Sequence, residues 1–67
     1  MDDTTRTAIR TIVGALETSG ALNDQQVAAV VEQLRRAADV EADCDRQDEA
    51  DVIRALADEI EEDSRLD

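Results

Sequence analysis

Aliphatic residues recur along three stretches of the chain at intervals of three and four residues, the spacing that places them on one face of a helix. The pattern predicts helices over about residues 3–19, 24–41 and 46–63. We therefore expect an all-α fold, a small helical hairpin followed by a third helix, in a single small domain. The apolar residues expected to form the core or a self-association seam are Ile9, Ile12, Val13, Leu16, Val27, Val30, Val31, Leu34, Ile53, Leu56 and Ile60.

The junction between the first two helices carries clear stop and start signals. Gly20 follows the first apolar stripe at the position where a left-handed residue commonly ends a helix. Asn23 is placed to cap the second helix, and Gln26 stands three residues later, as in a capping box. A short turn between two such helices predicts an antiparallel hairpin.

The stretch "ADVEADCDRQDEAD", residues 38–51, leaves two arrangements open. It contains neither glycine nor proline, so helices 2 and 3 could fuse into one long helix. However, its apolar face is interrupted, and aspartate competes for backbone hydrogen bonds. Asp43 or Asp45 could also cap a separate third helix. We favour three separate helices.

The small size of the chain and its lack of aromatic residues predict self-association. A chain of 67 residues buries only about 60% of its unfolded surface. With no Phe, Tyr or Trp, the stripes bury modest apolar area, and the gain hardly exceeds the ordering entropy. A single cysteine and no histidine exclude an internal disulfide and a structural zinc site. We therefore expect a homo-oligomer, with a dimer favoured.

The net charge of −11 is concentrated in the second half of the chain. Residues 1–38 carry five acids and four arginines, whereas residues 39–67 carry thirteen acids and three arginines. Three interpretations stay open: a solvated face, such as salt-adapted proteins tolerate, a docking surface for a basic patch on a protein partner, or imitation of nucleic-acid phosphates. The acids expected to form such a partner surface are Asp48, Glu49, Asp51, Glu59 and Glu62.

Residues that would support catalysis or a dedicated metal site are missing from the sequence. Without histidine, lysine or tyrosine there is no ordinary nucleophile–base pair near neutral pH. The calcium-loop registers that begin at Asp39, Glu41, Asp43 or Asp45 lack glycine at position six and glutamate at position twelve. We expect no enzyme activity, no cofactor and no metal ligand.

Direct binding to nucleic acid or to a membrane is also not expected. The charge balance opposes phosphate binding, and there are no aromatic side chains for base stacking. No stretch approaches 18 apolar residues, and the N-terminal residues lack a hydrophobic signal core, so a cytoplasmic location is expected. The single cysteine, Cys44, is expected to have no redox role.

These observations predict a non-catalytic interaction or regulatory module that self-associates and presents an acidic surface to a protein partner. The alternative hypothesis is an inhibitor that mimics nucleic acid and occupies the basic groove of a DNA- or RNA-binding protein.

Overall fold

The structure is a computed structural model that describes residues 2–65. It contains three α-helices: α1 (Asp3–Thr18), α2 (Asp24–Asp43) and α3 (Gln47–Arg65). No strand occurs within residues 2–65. The predicted all-α, three-helix arrangement is confirmed, and helices 2 and 3 are separate.

Both ends of α1 are stabilised by hydrogen bonds that its sequence provides. The side chain of Asp2 accepts a hydrogen bond from the Thr5 backbone N–H at 2.7 Å, which satisfies one free donor of the first turn. At the other end, Gly20 adopts a φ of 84°, and its N–H donates to the Glu17 carbonyl at 3.1 Å. The N–H of Ala21 donates to Leu16 at 2.9 Å, completing a Schellman motif. The predicted role of Gly20 is confirmed.

The start of α2 has the predicted capping box. The Gln26 backbone N–H donates to the Asn23 side chain at 2.9 Å, and the Gln26 side chain accepts from the Asn23 N–H at 2.8 Å. Two backbone donors that lack helical partners are thus satisfied reciprocally.

The turn between α2 and α3 repeats the ending of α1 with aspartate in place of glycine. Asp45 has a φ of 62°, and its N–H donates to Ala42 at 3.2 Å. The Arg46 N–H donates to Glu41 at 2.9 Å. Aspartate tolerates this left-handed conformation better than most residues, so it ends α2 without a glycine. The expectation that Asp43 or Asp45 caps α3 is wrong, because Asp43 lies in α2 and Arg46 directly precedes α3.

The core lies mainly between α2 and α3. Ion pairs join Arg54 to Asp39 near the turn and Arg35 to Asp58 farther from it, which shows that the two helices run antiparallel. Side chains that are at most 3% exposed fill this interface, and the alanines among them let the helix axes approach closely. The buried residues are Val27, Val31, Ala38, Ala50, Leu56, Ala57 and Ile60.

The first helix covers part of this core and packs mainly on α3. Ile9 and Val13 of α1 and Leu22 of the following turn lie against the buried cluster. Ile12 and Leu16, on the same helix, remain 59% and 41% exposed. Of the predicted apolar set, four residues are buried and two are exposed in a single copy. The other five are half-buried: Ile9, Val13, Val30, Leu34 and Ile53.

The two glycines provide opposite tests of the backbone geometry. A Cβ built at Gly14 has no heavy atom within 4 Å, so Gly14→Ala should gain about 1 kcal/mol of stability from helix propensity alone. At Gly20 the space is also open, but φ is 84°, so Gly20→Ala should lose about 1 kcal/mol. Urea unfolding midpoints at an unchanged m-value measure both effects. A destabilised Gly14→Ala variant would contradict the geometry of α1.

Candidate acidic partner surface

Two arginines of α1, Arg6 and Arg10, form ion pairs with Glu59 and Asp63 of α3, and we call this set of contacts the α1–α3 clamp. Arg10 donates two hydrogen bonds to the carboxylate of Asp63, from Nε at 3.0 Å and from Nη2 at 2.8 Å. The same guanidinium lies 2.8 Å from Glu59, which Arg6 approaches to 3.6 Å. A planar guanidinium matches a carboxylate in this two-bond arrangement, which fixes orientation as well as distance. Ser64 adds a hydrogen bond to Glu17 at 2.8 Å.

Other arginines join α2 to α3. Arg35 of α2 lies 2.9 Å from Asp58 and 3.3 Å from Glu61 of α3. Arg54 of α3 lies 2.9 Å from Asp39 of α2. These side chains are exposed or half-buried, so each pair adds little to stability, but together they favour one register of the two helices.

The strongest of these contacts shift the ionisation of their partners. The hydrogen bond from Arg10 lowers the pKa of Asp63, and the same bond raises the pKa of Arg10. The hydrogen bond to Asp58 raises the pKa of Arg35 in the same way. The pKa of Asp2 is lowered chiefly by the backbone N–H of Thr5 that it caps. In each case the contact favours the charged form.

The Asp63–Arg10 contact predicts a specific pH dependence. Because the pKa of Asp63 is lower in the folded state than in the unfolded state, its contribution to the free energy of unfolding is complete above the unfolded value. That contribution is lost as the pH falls through the folded pKa. Replacing Arg10→Met should raise the pKa of Asp63 toward its ordinary value, as measured by NMR titration of the side-chain carboxyl. The control Arg36→Met removes an arginine that pairs with Glu32 of its own helix, and it should leave the pKa of Asp63 unchanged.

About half of the excess negative charge lies where α2 ends and α3 begins, and the other half lies in residues 55–67. We call residues 39–54 the acidic end: this segment carries seven acids and two arginines. Arg46 lies 3.4 Å from Glu41 and 3.8 Å from Glu49, and Arg54 pairs with Asp39 and Asp51. The exposed acids that have no ion-pair partner among the described residues 2–65 are Asp43, Asp45 and Asp48.

Part of this charge lies at the unfavourable end of a helix. The free carbonyls at the C-terminus of a helix carry partial negative charge, which favours cations there. The last turn of α2 nevertheless contains no basic residue, and it ends on Asp43. In contrast, Asp48 and Glu49 lie in the first turn of α3, where acids are favoured. Within the acidic end, only the acids at the C-terminus of α2 therefore destabilise the helix to which they belong.

The structure brings only part of the predicted partner surface together. Asp48, Glu49 and Asp51 lie within the acidic end. Glu62 is exposed, but it follows Asp48 by 14 positions, which is about 21 Å along the helix axis. Glu59 is 28% exposed and lies between Arg6 and Arg10 in the α1–α3 clamp.

Four acids that were not predicted as surface residues join the cluster from the α2 side. They all lie within the acid-rich stretch of residues 38–51 that the sequence makes conspicuous, and that density is the signal that could have identified them. Their proximity to α3 depends on the tight turn at Asp45. The four residues are Asp39, Glu41, Asp43 and Asp45.

Other features of the described residues add little chemistry to this surface. Within residues 2–65 no group of three or more acidic or cysteine side chains is arranged to hold a metal ion. Cys44 is exposed in the turn. Among the three helices, none is both long enough and apolar enough to cross a membrane.

No family model matches the chain, and no curated protein or solved structure matches it either.

The two ends of α2 predict opposite effects for the same substitution. Asp43→Asn removes a charge from the C-terminal end and should stabilise the fold by about 0.3–1 kcal/mol at low salt. Asp24→Asn removes a charge from the first turn and should destabilise it by a similar amount, about 0.3–1 kcal/mol. Urea unfolding at low and high salt measures both, and salt should shrink both differences. Equal effects of the two substitutions would show that only net charge matters.

Proposed function

We propose that the protein is a non-catalytic interaction module whose acidic end binds a basic surface on a protein partner. The observation that carries this proposal is the convergence of seven carboxylates and only two arginines on one turn and the adjoining helix ends. Three of these carboxylates are exposed and lack an ion-pair partner within residues 2–65.

The distribution of arginines supports binding over a merely solvated face. All seven arginines form ion pairs, and four of them connect different helices. Only one of these four interhelical arginines, Arg54, lies within the acidic end. Residues 39–54 and residues 55–67 each carry a net charge of −5, but most acids of the second segment pair with arginines of α1 and α2. In the acidic end, by contrast, three acids have no ion-pair partner within residues 2–65: Asp43, Asp45 and Asp48.

The position of Asp43 supports the same proposal. A carboxylate at the C-terminal end of α2 opposes the helix dipole and so reduces stability locally. Local features that reduce stability without an evident structural benefit are concentrated at functional sites. A lysine or arginine from a partner would neutralise both the carboxylates and the carbonyl end of α2.

The proposed recognition is electrostatic and fast. Complementary charge speeds and orients encounter, and it weakens as salt screens it. The affinity for a basic probe should therefore fall steeply between about 0.05 and 0.5 M NaCl. The carboxylates project from two helix ends and a turn, so an arginine side chain could approach several of them at once.

An arginine-rich peptide tests the location of binding. A variant with Asp43→Asn, Asp45→Asn and Asp48→Asn should raise the Kd for the labelled peptide by about tenfold or more in fluorescence anisotropy. Asparagine suits the left-handed conformation at position 45, so the turn should be kept.

The matched control changes net charge equally at other exposed sites. It combines Asp24→Asn, Glu32→Gln and Glu62→Gln, all outside the acidic end. We expect its Kd to rise by less than about threefold. If both triple variants weaken binding equally, net charge alone accounts for the affinity, and the acidic end is not a binding site.

A further inference from the structure

Beyond Asp3 at its N-terminal end, the outward face of α1 carries no charge as far as Leu16, unlike the surface of α2 and α3. None of the exposed residues between Thr4 and Leu16 is charged, whereas 14 of the 25 exposed residues from position 21 to position 65 are. Both arginines of α1 form ion pairs with α3, Arg6 with Glu59 and Arg10 with Glu59 and Asp63. We call this set the uncharged face: Thr4, Thr5, Thr7, Ala8, Thr11, Ile12, Ala15 and Leu16.

The uncharged face has the spacing of a helix-pairing surface. Four of its residues and the C-cap Ser19 follow one another at intervals of three, four, three and four residues, and all five are exposed: Thr5, Ala8, Ile12, Ala15 and Ser19. This alternation keeps side chains on one seam when two helices pack at a shallow angle. Alanine on either side of Ile12 would let a second helix approach closely.

Two aliphatic side chains on this face are left largely in water. Ile12 is 59% exposed and Leu16 is 41% exposed, although their neighbours Ile9 and Val13 pack on the core. Because positions i and i+4 are adjacent on a helix, these two side chains form one continuous apolar patch. Val40 is equally exposed at 59%, but it lies on α2 within the acidic end.

We propose that the uncharged face of α1 pairs with the same face of a second copy of the chain. The charge distribution selects this occupant. Two copies that each carry a net charge of −11 repel one another when their acidic ends approach, and α1 offers an outward helix face free of that repulsion. A basic partner, in contrast, gains nothing electrostatically from an uncharged face and is drawn to the acidic end.

The charges near the ends of α1 favour an antiparallel pair. In a parallel pair, Asp2 and Asp3 of the two copies would meet, whereas an antiparallel pair places them at opposite ends. With its centre near Ile12, an antiparallel pair sets Ala8 of each copy against Ala15 of the other. One such helix pair buries less than the roughly 1,200 Å² of a standard interface, so the expected Kd is micromolar, not nanomolar.

Sedimentation equilibrium of the full chain tests the pairing. Wild type should form a dimer with a micromolar Kd, and raising NaCl from about 0.05 to 0.5 M should tighten it because salt screens the repulsion. Ile12→Glu should raise the dimer Kd by about tenfold or more, since it buries a charge in each half of the seam. The matched control Val40→Glu changes an equally exposed residue and should leave the Kd within about twofold.

Several results would overturn the proposal. A wild type that stays monomeric at high micromolar concentration, with its helices intact by circular dichroism, would exclude it. Equal effects of Ile12→Glu and Val40→Glu would show that association depends on net charge and not on α1. Because the acidic-end proposal predicts weaker binding at high salt and this one predicts stronger pairing, failure of either leaves the other standing.

Cysteine crosslinking tests the orientation in a Cys44→Ser background. A mixture of the Ala8→Cys and Ala15→Cys proteins should form a disulfide-linked dimer faster than either protein alone. Faster crosslinking of the separate proteins would contradict the antiparallel arrangement.

Discussion

The fold of this protein depends on the small aliphatic interface between α2 and α3. Leu56, Ala57 and Ile60 of one helix are buried against Val27 and Val31 of the other, with no aromatic side chain available to enlarge the contact. This interface buries little apolar surface, so the groups around it must also fix the position of one helix relative to the other. The interhelical ion pairs of Arg35 and Arg54 do this along its length.

The same constraint explains how the charges are distributed. α1 has few buried contacts and depends on the two-bond contact of Arg10 with Asp63 and on the shared carboxylate of Glu59. Arg6, Arg10 and Arg35 form their interhelical ion pairs with acids of the C-terminal half of α3, far from the turn between α2 and α3. Within the acidic end Arg54 joins α3 to α2 through Asp39. The acids there that have no ion-pair partner among residues 2–65 are Asp43, Asp45 and Asp48.

Most of the fold could be predicted from the sequence because its signals are local. The spacing of aliphatic residues identified all three helices, and Gly20, Asn23 and Gln26 marked the first junction by backbone chemistry that acts within a few residues. The end of α2 was harder, because Asp45 in a left-handed conformation has no signature that separates it from the acids around it.

The arrangement of the candidate surface depended on contacts that sequence spacing does not determine. Glu59 and Glu62 are three positions apart and equivalent in composition, yet only Glu59 faces the arginines of α1. Which carboxylate meets an arginine depends on how α1 lies on α3. For the same reason the apolar stripe of α1 could not be divided in advance into the half-buried Ile9 side and the exposed Ile12 side.

The two proposed surfaces are compatible because they lie on different helices. If α1 pairs with α1 of a second copy, α2 and α3 of both copies keep their acidic ends free for partners. A dimer then presents two acidic ends joined by a rigid helical body, and a partner with two basic patches at a matching distance would engage both. The second contact would form at a high effective concentration, so a weak dimer and a weak electrostatic contact would together give binding tighter than either one. Because salt strengthens the first contact and weakens the second, ionic strength sets the balance between the two.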